Sequence, residues 1–342
     1  MRGAASIRID WDVRPAFDFI FSLSDEAGST DDLPAADRAW LTEARASLPT
    51  DLRELAHDLI ESEVWIQVAV AVVDAPAIRT AADVVAALAV VEPRGLVRRV
   101  FDDPPGDPQL AGLIDRVLDG DSSVLPAIAE GLPHDRREAR LRLLRDPEKI
   151  VGELRTVLAA WEERFTPIEP RVAAILERDY ASRAADRAAL APADLIERTT
   201  NGIRWLPESG IRRVILAPSY FSRPYNFLMS AGDWRLFGYP VADEAFEATD
   251  PLSAPQAVVR LHRALGDETR MRILKLLAGR DRYLTEIAQQ LELSKPTIKH
   301  HLALLRSAGL VTITESGTVV YFTLRRERLD DASADLKRFL IG

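Results

Sequence analysis

The sequence predicts an α+β protein, with a mainly helical N-terminal domain that carries a few strands and a C-terminal domain that joins helices to a β-hairpin. Three observations predict this class. Apolar residues recur at helical spacing from Pro15 to about Gly202. Two runs rich in β-branched and aromatic residues follow them, and an ordered series of helix, helix and hairpin occupies the end of the chain, from about Gln256 to Leu324.

The length and composition indicate an ordinary folded protein of about two domains. The chain has 342 residues, of which 47% are apolar and 28% charged, and a domain typically contains about 150 residues. The chain does not start with a basic segment followed by an apolar stretch, and its longest apolar runs are too short to cross a bilayer. We therefore expect neither export nor a membrane partner.

The charge is divided unevenly along the chain. Its net value of −9 argues against nucleic acid as a partner, because phosphate repels an acidic surface. The residues from Pro255 onward nevertheless hold 15 Lys and Arg against 10 Asp and Glu, a charge of +5, whereas the residues before them carry −14. The basic end is therefore the part of the chain that we expect to meet DNA.

The N-terminal region begins with a strand and continues as helices. A strand is predicted over Ser6–Asp12, because apolar and polar residues alternate there. The stripes of the helical region, such as the leucines from Leu52 to Leu59, are typical of core packing. Two further strands are predicted at Arg212–Pro218 and Trp234–Val241, which are rich in β-branched and aromatic residues.

A domain boundary is predicted over Asp243–Pro255. This segment holds two prolines and several acidic residues. The predicted domains are therefore residues 1–250, with a sensing or dimerisation role, and residues 255–342.

An effector site is predicted among the aromatic residues between and beside the two later strands. Tyrosine, phenylalanine and tryptophan side chains with one arginine could line a pocket for an anionic or aromatic small molecule. The alternative is that these aromatics only pack the join between sheet and helices. The six residues of the predicted site are Trp205, Tyr220, Phe221, Arg223, Tyr225 and Trp234.

The C-terminal domain contains two short helices separated by a tight turn. Apolar residues fall at helical spacing over Leu284–Leu291, and Ala288 is small enough to let a second helix approach closely. Ser294 is a suitable N-cap for that second helix, because its hydroxyl can accept from a free first-turn amide. Gly309 is expected to end the helix in a left-handed conformation. These features predict a helix-turn-helix.

The second of these helices has one apolar and one polar face. Ile298, Leu302 and Leu305 are expected to face the core. The outward residues near the start of the helix stand where a recognition helix meets base edges, and lysine and threonine can both contact bases there. The predicted DNA contacts of this helix are Ser294, Lys295, Thr297, Lys299 and His300.

A β-hairpin is predicted immediately after the second helix. Val311–Thr314 and Val319–Leu324 are β-rich, and a turn that contains a glycine separates them. The hairpin would be the wing of a winged helix-turn-helix, and its tip would reach DNA phosphates or the minor groove through Ser316 and Thr318.

Three strings of this domain together resemble the ArsR-like winged-helix repressor family. They are LGDETRMRILKLL at Leu265–Leu277, SKPTI at Ser294–Ile298 and HLALLRSAGLV at His301–Val311. The resemblance covers about the last quarter of the chain. It implies a homodimer that binds an inverted-repeat operator in double-stranded DNA and releases it when an effector binds.

The chain departs from the metal-sensing members of that family. Those members use cysteine pairs, or histidine and acidic ligands on the last helix, whereas this chain has no cysteine and no histidine after His301. His300 and His301 are adjacent on a helix and point about 100° apart, so they are poorly placed to share one ion. We therefore predict no metal and no cofactor, and His301 is expected to be a partly buried packing residue.

The sequence predicts a cytoplasmic, dimeric transcriptional repressor that is not an enzyme, because no nucleophile elbow, phosphate loop or dinucleotide fingerprint is found. Two alternatives remain open. One is an enzyme domain fused to a DNA-binding module. The other is an architectural protein that binds DNA with little sequence preference.

Overall fold

The computed structural model describes residues 7–24, 27–28, 32–62, 64–101, 108–132, 137–245, 254–316 and 319–341, and for 315, 316 and 319 the backbone only. The described residues form helices throughout most of the chain and strands in two small sheets. The predicted α+β class is confirmed, with a mainly helical N-terminal part and a winged helix-turn-helix at the C-terminal end. Within the described ranges, no helix is both long and apolar enough to cross a membrane.

The chain divides into two compact units. The helical unit is Arg14–Ala174, and the mixed unit consists of Met1–Val13 together with Ile175–Gly342. The helical unit is therefore an insertion between the first strand and the rest of the mixed unit. The predicted boundary near residue 250 lies inside the mixed unit, and the division into domains 1–250 and 255–342 stays a prediction.

The helical unit is held together by a core of large aromatic and aliphatic side chains. Phe19 and Phe165 meet edge to face with their ring centroids 5.5 Å apart, and the indole of Trp161 donates to Ser22 Oγ at 2.9 Å. Its helices are α1 (Ala16–Ser22), α2 (Ala35–Ala46), α3 (Thr50–Glu61), α4 (Val64–Asp74), α5 (Ala81–Ala89), α6 (Pro93–Val100), α7 (Pro108–Leu118), α8 (Leu125–Gly131), α9 (Arg137–Arg145) and α10 (Pro147–Phe165). Helix α11 (Glu169–Ser182) begins in this unit and ends in the mixed unit.

The first sheet of the mixed unit has the order β1-β3-β5-β4. Strands β1 and β3 are parallel, as are β3 and β5, whereas β4 runs antiparallel to β5. The interior of β3 and β5 is almost wholly buried, which agrees with their continuous apolar runs. The strands are β1 (Arg8–Trp11), β3 (Arg213–Ser219), β4 (Phe227–Ala231) and β5 (Trp234–Pro240). Helices α12 (Ala184–Ala189) and α13 (Pro192–Thr199) lie between β1 and β3 in the chain.

Three strands of the second sheet lie among the C-terminal helices in the sequence, and the fourth comes from further upstream. Its order is β2-β7-β8-β6, in which β2 pairs in parallel with β7 and the amide of Ile313 donates to the carbonyl of Gly202 at 2.7 Å. The strands are β2 (Ile203–Trp205), β6 (Arg282–Tyr283), β7 (Val311–Ser316) and β8 (Val319–Leu324). The helices around them are α14 (Gln256–Leu265), α15 (Glu268–Gly279), α16 (Leu284–Leu291), α17 (Lys295–Ser307) and α18 (Glu327–Ile341).

The elements predicted from alternation and helical spacing are confirmed. The first strand, the long helical region, the strands at β3 and β5 and the final hairpin all lie where the sequence predicts them. Strands β2, β4 and β6 were not predicted. β2 and β6 are only three and two residues long, which is too short for alternation to be recognised, and β4 (FLMSA) does not alternate apolar and polar residues.

Candidate nucleic-acid interface

Helices α16 and α17 form the predicted helix-turn-helix. The turn is made by Glu292, whose backbone is left-handed with φ 57°, and by Leu293. Ser294 caps α17, because its Oγ accepts from the amide of Thr297 at 3.2 Å. Gly309 follows the helix with φ 75°, as its place in the sequence predicted. The local geometry therefore follows from these few residues.

The two faces of α17 differ sharply in exposure. Ile298, Leu302 and Leu305 are at most 1% exposed and belong to the core shared with α14, α15 and α16. The other face begins at the capped end of the helix, where free first-turn amides favour an anion. The residues predicted to contact DNA are all exposed on it, and they are Ser294, Lys295, Thr297, Lys299 and His300.

The two lysines give this face its charge. In the part of the chain that the structure describes, neither Lys295 nor Lys299 forms an ion pair. Most arginines of the mixed unit, by contrast, contact a carboxylate or a main-chain carbonyl, as Arg280 does with Glu286 at 2.6 Å. Both ammonium groups are therefore available to a phosphate or to an acceptor on a base edge.

The two adjacent histidines have different environments. His300 is exposed, whereas the His301 side chain is 16% exposed. Burial lowers the pKa of His301 below its ordinary value of 6.5, although Asp267 lies 3.8 Å away and opposes this shift. His301 is thus the partly buried packing residue that the sequence predicted. Among the described residues, no group of three His, Asp or Glu side chains is arranged to hold a metal ion.

The predicted hairpin follows α17. Strands β7 and β8 pair antiparallel from Val311 with Leu324 to Ser316 with Val319. The side chain of Ser316 and the whole of Thr318 lie outside the described residues. Their predicted contacts with DNA stay predictions.

Five of the six predicted effector residues are buried. Tyr225 alone is only partly buried, and the other five are 4% exposed or less. They are Trp205, Tyr220, Phe221, Arg223 and Trp234.

These side chains are distributed over several contacts. Trp205 packs edge-on against Phe237 of β5, with ring centroids 6.2 Å apart, in a core that includes residues of the first sheet and of α13. Tyr220 and Phe221 pack edge-on against each other at 5.0 Å. Trp234 is the first residue of β5, and Arg223 donates to Asp243 at 2.5 Å. The six residues thus take part in separate contacts within the fold, and an effector site among them stays a prediction.

Three contacts that join α17 to upstream segments were not predicted from the sequence. Asn201 donates to the carbonyls at the end of the helix, and Tyr225 meets His300. Arg306, a residue of α17 that is 3% exposed, donates to the carbonyls of Thr200 and Pro224. The dipeptide Asn201-Gly202 is a turn signal in the sequence, but it does not indicate which part of the chain the turn will contact.

Comparison with known proteins places the C-terminal part in one family. The family model described as "Bacterial regulatory protein, arsR family" matches residues 267–312. The transcriptional regulator KmtR of Mycobacterium tuberculosis is 38% identical over 82 residues, which are 23% of this chain and 63% of KmtR. The transcriptional repressor SdpR of Bacillus subtilis is 37% identical over 70 residues, which are 20% of this chain and 78% of SdpR.

A solved structure is also similar over the same region. The structure of HlyU from Vibrio cholerae is 31% identical, with a TM-score of 0.21, and the match covers 25% of this chain and 95% of HlyU. The chain thus spans just under two thirds of KmtR and most of SdpR and HlyU. In its C-terminal quarter, the chain belongs to the ArsR family of bacterial regulatory proteins.

Proposed function

We propose that the protein is a sequence-specific, DNA-binding transcriptional regulator that reads the major groove with α17. The observation that carries the proposal is the exposed face of that helix. It begins at a capped N-terminus, and it presents Lys295 and Lys299, which form no ion pair with any described residue, beside the hydroxyl of Thr297. Its opposite face is fixed in the core, so the helix would meet DNA as a rigid element.

We propose further that the active form is a homodimer joined through α18. This helix packs against α14, yet none of its residues is buried. Leu340 and Ile341 are 68% and 82% exposed, and Leu329 and Phe339 are also exposed. A second copy of the chain would cover these apolar side chains, and two recognition helices would then read the two halves of an inverted repeat.

Repression is the proposed outcome of binding. The support is that SdpR, one of the similar proteins, is named a transcriptional repressor. A dimer that occupies an operator would exclude other proteins from the promoter. A protein that binds the chromosome would act in the cytoplasm, and this supports the predicted location.

The residues before the ArsR-like module are proposed to sense a small molecule without converting it. They make up about three quarters of the chain and lie outside the region that the family model matches. A ligand that raises the melting temperature and is recovered unchanged would support sensing. Consumption of the ligand would instead indicate an enzyme domain.

The proposed function is tested by selecting binding sites from a random duplex library with the purified chain. We expect an enriched inverted repeat whose half-sites are about 10 base pairs apart, centre to centre. Footprinting should then show protection confined to that site, and a reporter gene behind it should be repressed. Uniform protection without an enriched sequence would indicate an architectural protein and would contradict the proposal.

A further inference from the structure

A tyrosine from upstream of the ArsR-like module touches the exposed face of α17. Tyr225 lies in the loop between β3 and β4, and its hydroxyl oxygen is 3.1 Å from Nδ1 of His300. The two ring centroids are 6.5 Å apart, and the rings are tilted by 44°. Tyr225 lies more than 40 residues before the segment that the family model matches, so this contact is an addition to the module.

The loop that carries Tyr225 is fixed to α17 at a second point. Arg306, which is buried near the end of that helix, donates to the carbonyl of Pro224 at 3.4 Å and to that of Thr200 at 3.0 Å. The amide of Tyr225 itself donates to the carbonyl of Ser222 at 2.7 Å. The tyrosine hydroxyl is therefore held at a defined position along the helix.

The base of the loop is fixed as well. Arg223 donates to Asp243 at 2.5 Å, and Asp243 also accepts from Arg260 of α14 at 2.8 Å. The side-chain amide of Asn226 donates to the carbonyl of Thr200 at 3.2 Å. Because both neighbours of the Tyr225–Pro224 pair are tied down, the contact with His300 belongs to a rigid part of the fold.

The direction of this hydrogen bond determines which ring nitrogen of His300 can donate to DNA. In a neutral imidazole one nitrogen is a donor and the other an acceptor. A tyrosine hydroxyl that donates to Nδ1 makes Nδ1 the acceptor and keeps the proton on Nε2. The imidazole then has one orientation and one remaining N–H group, which suits an acceptor such as O6 or N7 of guanine or O4 of thymine.

We propose that Tyr225 is a positioning residue for DNA readout, which holds His300 so that its Nε2–H donates to one base of the operator. The inference rests on the proposed DNA-binding function and extends the reading surface beyond the ArsR-like module. A masking role for Tyr225 would require His300 to be covered, but His300 is exposed with the tyrosine in contact.

The test is a double-mutant cycle on base preference, with Tyr225→Phe, His300→Ala and the double variant of the full chain. The affinity of each protein is measured for the selected duplex and for duplexes in which one base pair of that site is changed. We expect His300→Ala to abolish preference at one position. Tyr225→Phe should lower the preference at that same position by about three-fold to ten-fold, and it should have no further effect when His300 is absent.

Tyr283→Phe is the matched control. It removes an exposed tyrosine hydroxyl of the same unit, one that donates to the hydroxyl of Tyr321 at 2.8 Å instead of contacting α17. We expect this variant to keep the full preference at every position. Melting temperatures of Tyr225→Phe and Tyr283→Phe that match the wild type would show that the effect is not a loss of folding.

A spectroscopic measurement tests the contact itself. In mildly alkaline solution, the imidazole ¹⁵N signals of the five histidines can be resolved, and His300→Ala identifies those of His300. Tyr225→Phe should shift the Nδ1 signal of His300 and leave the other histidines in place.

Three results would overturn the inference. One is a Tyr225→Phe variant with unchanged base preference. Another is a loss of preference that is equally large without His300, since Tyr225 would then act independently. The third is a uniform gain of affinity for all duplexes, which would make Tyr225 a mask. A wild-type chain that selects no sequence would contradict the proposed function itself, and the inference with it.

Discussion

Asn201 caps the C-terminal end of α17, because its side-chain amide donates to the carbonyl of Arg306 at 3.1 Å. The same amide reaches the carbonyl of Ser307, also at 3.1 Å. The last carbonyls of a helix have no partners within the helix. A residue more than 100 positions upstream therefore completes the hydrogen bonding of the helix that we propose to read DNA.

Replacing Asn201 should destabilise the mixed unit by an amount that depends on the new residue. The backbone of Asn201 has φ 54°, which glycine adopts freely and alanine does not. Asn201→Gly removes only the amide and should cost about 1–2 kcal/mol, whereas Asn201→Ala should cost roughly 1 kcal/mol more. Urea denaturation measures both values. Equal stability of all three proteins would show that the cap contributes nothing.

Replacing Arg306 with methionine or with lysine should lower the free energy of unfolding. Its guanidinium is buried and supplies the hydrogen bonds to Thr200 and Pro224. In Arg306→Met those two carbonyls lose this donor, so we expect a loss of about 2–3 kcal/mol in the free energy of unfolding. Arg306→Lys keeps the charge but cannot reach both carbonyls with a planar fork, so it should recover only part of the loss. The denaturation midpoints of the wild type, Arg306→Lys and Arg306→Met should fall in that order.

The ionised Asp243 should make the free energy of unfolding of the mixed unit depend on pH in the acid range. Burial alone would raise the pKa of Asp243, but the guanidiniums of Arg260 and Arg223 outweigh it and hold the pKa below its ordinary 3.8. A carboxylate with a lowered pKa stabilises the fold above the unfolded-state value, and this contribution is lost as the pH falls through the folded-state value. We therefore expect the free energy of unfolding to fall below about pH 4.

The variant Asp243→Asn isolates that contribution. Its stability should vary less with pH in the acid range than that of the wild type, and it should be lower than the wild type near pH 7. The exposed Asp281→Asn is the matched control, and its profile should follow the wild type. An Asp243→Asn profile that also follows the wild type would mean that the two arginines do not stabilise the carboxylate.

Lys299→Ala should relax base preference. Lys299 is exposed one turn into α17, where a recognition helix meets base edges. Loss of a base contact should cost about 1–3 kcal/mol at one position of the site. Binding to the selected duplex and to single-base variants measures the change. Weaker binding with unchanged selectivity would make Lys299 a phosphate contact instead.

The helix-turn-helix could be predicted because its determinants are local. The spacing of Ile298, Leu302 and Leu305 fixes the buried face of α17, and Ser294 and Gly309 mark its ends. Each of these signals lies within about a turn or two of the residue that it affects. The exposed face followed directly, since it is what remains when the buried face is assigned, and its contact with DNA stays a prediction.

The surroundings of α17 could not be predicted, because they depend on pairings between distant segments. Strand β2 is only three residues long and pairs with β7 more than 100 residues later. The roles of Asn201 and Tyr225 depend on that docking and leave no periodic pattern in the sequence. The effector site was predicted from the type of its residues and from their place beside two predicted strands. Neither observation distinguishes a pocket from packing such as that of Trp205 on Phe237.

The insertion of the helical unit after β1 has a consequence for biosynthesis. Arg8 pairs with Arg213, about 200 residues further along the chain. At the usual rates of translation, the ribosome needs roughly 10–40 s to make the intervening segment. Helices form from nearby residues and fold quickly. The helical unit can therefore be complete before β3, the strand that pairs with β1, has been synthesised. Strand β1 therefore stays unpaired while the whole helical unit is synthesised, and during that interval nascent-chain chaperones would have access to it.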